Sequence, residues 1–285
     1  MASINHVVSS QEDEVITSEV SYLKIDPKHR YEKPYRVNYN TGGLFPWTNT
    51  SHDTQPIFIK NFRTIQTPGS LEKFGFSVKT LQSQLSRRDF EDSVKVEEWF
   101  YPEVKKLLNN TFPEAAKIEI LEHGIRRRDH KARNATGGLA PANIVHIDYT
   151  ENSAFDFSHR IFKASAEQYP RLLMVNLWKS IQGPGNDWPL AFCDRRTVDY
   201  DMDIVGEDLV FKSGFTEHAR LYHNPRHEWY YFQDLQDDEV ILFHQFDSEL
   251  EGGGGTPHAS FFNPLTSKAA APRISIELRA LIYFE

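Results

Sequence analysis

Six short segments in the second half of the chain, at 117–121, 143–149, 172–177, 228–232, 239–246 and 274–283, are apolar or alternate apolar with polar residues, and turn-rich stretches divide them. Segments of this length and pattern read as β-strands. Each can bury its apolar face only against others, so the series predicts a mainly β chain with flanking helices, closed into a barrel or jelly roll. One helix is expected among them, around 153–168. Earlier, between 94 and 108, apolar residues fall near helical spacing at Val96, Trp99, Phe100, Val104, Leu107 and Leu108. Pro102 interrupts that pattern and predicts a kink or a new helical start. Asn109, Asn110 and Thr111 end it. Segments 19–25 and 56–59 are expected as strands, and 26–70, rich in Pro, Asn, Thr and Gly, reads as an arm laid over the core. The expected organisation is a flexible N-terminus at 1–15 followed by a single domain at 16–285. The glycines at 252–255 fall inside the strand-rich half and are expected to form a flexible loop.

The formal net charge of −8 leaves no overall positive field for nucleic acid. The one basic cluster, Arg126, Arg127 and Arg128 with Lys131 and Arg133, also contains Asp129 and reads as a solvated loop; holding an anionic substrate is the alternative. Cys193 is the single cysteine, so no intrachain disulfide can form, and its apolar neighbours Leu190, Ala191 and Phe192 predict a buried thiol rather than a nucleophile. No stretch approaches the ~20 apolar residues of a membrane span. The start, MASINHVVSSQEDE, lacks the pattern of a signal peptide, and a cytoplasmic location is expected.

The chemistry starts from Val145-His146-Ile147-Asp148-Tyr149. Side chains alternate along a strand, so Val145, Ile147 and Tyr149 face an apolar layer while His146 and Asp148 lie together on the other side. An imidazole and a carboxylate so placed can share a metal ion, and one distant histidine would complete the two-histidine, one-carboxylate set of non-haem iron enzymes. Chance occurrence of H-x-D is the alternative. Near the C-terminus, Thr256-Pro257-His258 is followed by Arg273-Ile274-Ser275. Arg273 could take the distal carboxylate of a 2-oxo acid in a bidentate pair, with Ser275 donating from the same strand face. Its alternative partner is Glu277 on that face. His258 is preferred to His244 as the third metal ligand because R-x-S follows it.

These residues carry a resemblance. The segments VHIDYT, NLWKSIQGPGNDWPLAFCD, HEWYYFQDLQDDEVILFHQFDS, and TPHASF followed by PRISIELRAL resemble the fungal AsaB/CmcJ-like hydroxylase/desaturase family, which includes gibberellin desaturase. Lys179 stands where Arg is expected and Ile274 where Glu is commoner. The family resembles iron(II)/2-oxoglutarate oxygenases. The resemblance implies a double-stranded β-helix, Fe(2+) on His146, Asp148 and His258, 2-oxoglutarate on Arg273 and Ser275, and O2 as oxidant. It also implies oxidation of a C–H bond in a small specialised metabolite, by hydroxylation or desaturation.

Weaker candidates for substrate contact are Asn176 and Trp178, which face away from Leu173, Val175 and Leu177; His227 and Trp229, which share a face with Tyr231; and Arg279, in phase with Arg273. For Asn176 and Trp178 core packing is the alternative, and Arg279 could contact neighbouring carboxylates instead of substrate. Pro225 argues against a helical zinc pair from His223 and His227. His6, His29, His52 and His130 are expected at the surface. Two rival functions stay open: an iron oxidase with the same ligands but no 2-oxoglutarate, and a non-catalytic jelly-roll binding module.

Overall fold

The structure is a computed structural model that describes residues 15–136, 138–165 and 168–285. The tail expected at 1–15, His6 included, lies outside the described residues except for Val15. Two sheets form, as the strand series predicts. The larger runs in the order Ile16–Leu23, His52–Asn61, Trp229–Tyr231, Leu190–Cys193, His258–Ser260, His146–Ile147, Gly214–Leu221, Ile204–Phe211 and Tyr35–Val37. The smaller runs Phe76–Thr80, Glu239–Asp247, Arg171–Ser180, Ile274–Phe284 and Lys117–Arg127, antiparallel throughout. The architecture is the jelly roll of a double-stranded β-helix.

The sheets face each other across an aromatic layer: Phe192, Tyr230 and Phe232 from the larger, Phe76, Trp178, Ile241 and Phe243 from the smaller. The outer face of the smaller sheet carries Leu173, Val175, Leu177, Ile274, Ile276 and Leu278, which pack on Val96, Phe100, Val104 and Leu108. Those four are the buried members of the apolar stripe expected for the helical segment; Leu107 is partly buried and Trp99 is exposed. As expected, a new helical start lies at Pro102: a π-helical turn at Val96–Phe100 leads into the α-helix Tyr101–Thr111, with Pro102 in its first turn, where a missing N–H costs little. The outer face of the larger sheet buries Val145, Ile147, Ala191, Cys193 and Trp229 against Ile16, Val20, Tyr22, Ile57 and Ile59. Cys193 is buried, as expected.

Three expectations are corrected. The strand at 117–121 continues to Arg127, so Arg126 and Arg127 are not in a solvated loop: Arg126 pairs with Glu277, and Arg127 is buried and pairs with Glu91. The strand at 143–149 shortens to His146–Ile147, and the helix after it ends at Phe162, where Lys163 turns left-handed. The glycines at 252–255 do not form a loose loop, for three of the four are buried. A Cβ on Gly255 would stand 2.5 Å from the Gln245 carbonyl oxygen and 2.6 Å from Ile147 Cγ2, so only glycine lets this segment pass close enough to deliver His258.

Candidate metal centre

Two strands of the larger sheet put His146 and His258 in direct register, with ring centroids 4.4 Å apart. Nδ1 of His146 lies 2.8 Å from the Ile144 carbonyl oxygen, and Nδ1 of His258 lies 3.2 Å from that of Thr256. A carbonyl oxygen only accepts, so each Nδ1 carries a proton and Nε2 is the atom of each ring turned to the interior for a metal. Asp148, just past the strand end, brings Oδ1 to 3.3 Å from His146 Nε2. One donor atom from each of the three residues lies within 4.8 Å of the others. Burial, and then the nearby His146, push His258 down to about 3, which keeps its imidazole neutral. Burial opposes ionisation of Asp148, yet Arg279 and His146 hold it well below the usual carboxylate range. Two imidazoles and one carboxylate converging from one side suit a divalent transition metal and leave its far side open. His244 is not part of this cluster: its Nδ1 accepts from Arg195 Nη1 at 3.1 Å.

The three donors line a narrow pocket together with Arg126, Leu190, Phe243, Arg273 and Glu277. Arg273 is fully buried. Its Nε donates to Ser275 Oγ at 3.1 Å and its Nη1 to the Trp188 carbonyl at 2.7 Å, while Asp187 accepts from its backbone N–H. Its Nη2 is buried with no hydrogen-bond partner. Burial and the neighbouring Arg126 lower its affinity for the proton to a value of about 9. Glu277 is engaged instead by Arg126, through Nε at 2.7 Å and Nη2 at 2.8 Å. A buried guanidinium with a free donor calls for an anion, and a dicarboxylate 2-oxo acid fits that demand.

The remaining candidates separate by which side of the sheet they face. Asn176 donates to Asp148 Oδ2 at 2.6 Å, and Arg279 Nε donates to the same oxygen at 3.2 Å, so both attach to the carboxylate rather than to open space. Trp178 does face inward, but it is 1% exposed, packed in the aromatic layer with the Arg273 guanidinium 5.0 Å from its ring. Arg273 is thus its link to the pocket. His227 and Trp229 are corrections. Trp229 faces the outer layer and donates to Tyr22, and His227 is held between Tyr22 and Asp203. Alternation groups them correctly but does not say which face is inside. His52 and His130 are exposed, and His29 is half-buried against Tyr222.

Gln245 and the pairing of Arg126 with Glu277 escape sequence reasoning. Gln245 Oε1 accepts the Asp148 backbone N–H at 2.7 Å. It is the extra residue at a register shift between His244 and Phe246. A second shift lies opposite Arg279 and Ala280, where Leu121 is extra. Bulges re-aim side chains, and both occur beside supports of Asp148.

Comparison with known proteins follows the same line. A family model, YDMC, described as an oxidoreductase/YMDC permease-like domain, matches residues 20–283. The chain belongs to this family. Among curated relatives of this YDMC member, the hydroxylase/desaturase efuI of Hormonema carpetanum is 28% identical over 262 residues, covering 84% of this chain and 86% of that one. The Fe(II)/2-oxoglutarate-dependent dioxygenase nvfI of Aspergillus novofumigatus is 27% identical over 276 residues, covering 93% and 96%. A solved structure of the iron and alpha-ketoglutarate-dependent endoperoxidase NvfI superposes with a TM-score of 0.82 at 23% identity, covering 95% of this chain and 98% of that one; this likeness establishes the fold. Among the described residues, no helix is long and apolar enough to cross a membrane.

Proposed function

We propose that this YDMC protein is an iron(II)/2-oxoglutarate-dependent oxygenase that hydroxylates or desaturates a C–H bond of a small specialised metabolite. The observation that carries the reading is the placement of a buried, unsatisfied Arg273 Nη2 in the same pocket as three converging metal donors. The printed names of the curated relatives, hydroxylase/desaturase and Fe(II)/2-oxoglutarate-dependent dioxygenase, support it. So do the segments that resemble the AsaB/CmcJ-like branch.

His146, Asp148 and His258 would hold the iron from one side. Arg273 would grip the far carboxylate of 2-oxoglutarate, with Ser275 keeping its guanidinium in plane. Bound there, iron and 2-oxoglutarate supply the activation of dioxygen, the release of succinate and carbon dioxide, and the removal of hydrogen from the substrate. Leu190 and Phe243 keep bulk water from the pocket. A lone buried cysteine suits a reducing compartment such as the cytoplasm. The test is an anaerobic titration with iron(II) and then 2-oxoglutarate, watched in the visible range. A charge-transfer band that appears only with both, and succinate formed on admitting air, is expected. Full turnover without any 2-oxo acid would overturn the reading and give Arg273 to the substrate.

A further inference from the structure

We infer that Arg279 and Asn176 are positioning residues that restrict Asp148 to one metal-binding oxygen. The inference rests on the metal assignment above and goes beyond it, to the residues that set how many positions the metal keeps open.

Asp148 is approached from two sides. Its Oδ1 faces His146 Nε2. Its Oδ2 accepts from Asn176 Nδ2 at 2.6 Å and from Arg279 Nε at 3.2 Å. An oxygen already engaged by an amide and a guanidinium is a poor second donor to a metal. These donors do not depend on an ion to place them. Asn176 and Arg279 are register partners on adjacent strands. Arg279 is tied further by Nη1 to Glu122 at 2.6 Å and by Nη2 to Glu277 at 3.5 Å. Gln245 fixes the Asp148 backbone from a third direction. The rotation that would bring Oδ2 to the metal breaks both bonds and leaves Arg279 facing a lost partner in a largely buried site.

The consequence is chemical. Three one-atom protein ligands leave three of six positions free, two for a chelating 2-oxo acid and one for dioxygen. A two-oxygen Asp148 would consume one of them.

The test counts metal-bound waters on the Mn(II)-loaded protein by water-proton relaxation. Affinity is the poorer readout, because removing a nearby positive charge strengthens cation binding by itself. Wild type and Glu122→Gln, which loses only the exposed partner of Arg279, are expected to show about three waters, and Arg279→Leu and Asn176→Ala about two. Both variants should also bind 2-oxoglutarate more weakly in the Mn(II) form, and Arg279→Lys should recover the third water. Asn176→Ala removes no charge and carries the test alone if Arg279→Leu does not fold. Wild-type water counts and 2-oxoglutarate affinity in Asn176→Ala and Arg279→Leu, with only the melting temperature lowered, would overturn the inference and leave Arg279 a staple between strands. A wild type that binds no Mn(II), or a His258→Ala variant that binds it unchanged, would instead remove the metal assignment beneath it.

Discussion

The two sheets contribute to the centre in different ways. From the larger come the three side chains that converge on one point, and its two histidines are oriented by backbone carbonyls of their own chain segments, at Ile144 and Thr256. From the smaller comes a charged lattice: Arg273, Ser275, Glu277 and Arg279 alternate along one face, Arg273 bonds to Ser275 and Glu277 to Arg126, and Arg279 and Asn176 both donate to Asp148. The first arrangement has no redundancy, because each ligand supplies an atom that nothing else can supply. The second is shared among several donors, so the loss of one member weakens it by degrees.

The largest effect should therefore come from the larger sheet. His258→Ala, and equally His146→Ala, is expected to abolish iron retention while the fold stays intact. Metal analysis of the purified variants beside their circular dichroism checks this, and stoichiometric iron in His258→Ala would contradict the ligand set. Next comes Arg273, whose Nη2 is left without a partner in the pocket. Losing a charge-assisted pair in a buried site costs on the order of 2–5 kcal/mol, or roughly 30- to 5000-fold in affinity. Arg273→Leu should weaken 2-oxoglutarate binding by that factor with iron still bound, and Arg273→Lys should recover part. Calorimetric titration of the metal-loaded variants reads it directly.

A third expectation concerns acid. Burial, and then Arg195, push His244 down to about 3. The unfolded chain takes up this proton near pH 6.5 and the folded chain far later, so stability is present above about 6.5 and is lost as pH falls toward 3. Between pH 7 and 5 the loss from this one group is on the order of 2 kcal/mol. Urea unfolding of the metal-free protein at both values should show it, with a smaller drop in His244→Gln. An unchanged drop would mean that His244 is not held neutral. The smallest effect belongs to Trp178. Trp178→Phe keeps an aromatic face under Arg273 but a weaker one, and a change of about 0.5–1 kcal/mol predicts a 2- to 5-fold loss in 2-oxoglutarate affinity. Altered substrate selectivity with unchanged 2-oxoglutarate affinity would show that the indole touches substrate after all.

How far the site was legible follows from this division. H-x-D and R-x-S could be read because a two-residue period puts chemically matched side chains on one face, and the face of Leu173 to Leu177 came out as expected. Asn176 and Arg279 were placed on the inner side, but not against Asp148, since that contact depends on cross-strand register. Arg126 looked like solvent-facing charge because its partner, Glu277, is 151 residues away in sequence. The glycine run looked loose because nothing local reveals the Gln245 carbonyl and Ile147 packed against it. His227 and Trp229 mark the same limit, for periodicity groups residues without saying which group faces in.

Gln245 has a different standing from the other residues around the three donors. The ladder pairs His244 with Val175 and Phe246 with Met174, and Gln245 has no opposite number. A sheet does not need it: with Gln245 deleted, the pairs on either side could close into ordinary alternation without any strand sliding. Asp148 would then lose the acceptor for its N–H. The residue is a surplus in the architecture, kept where the chemistry has a use for it. A chain with this same barrel and a one-residue gap at that point would be a relative in shape from which one of the metal site's supports had been removed.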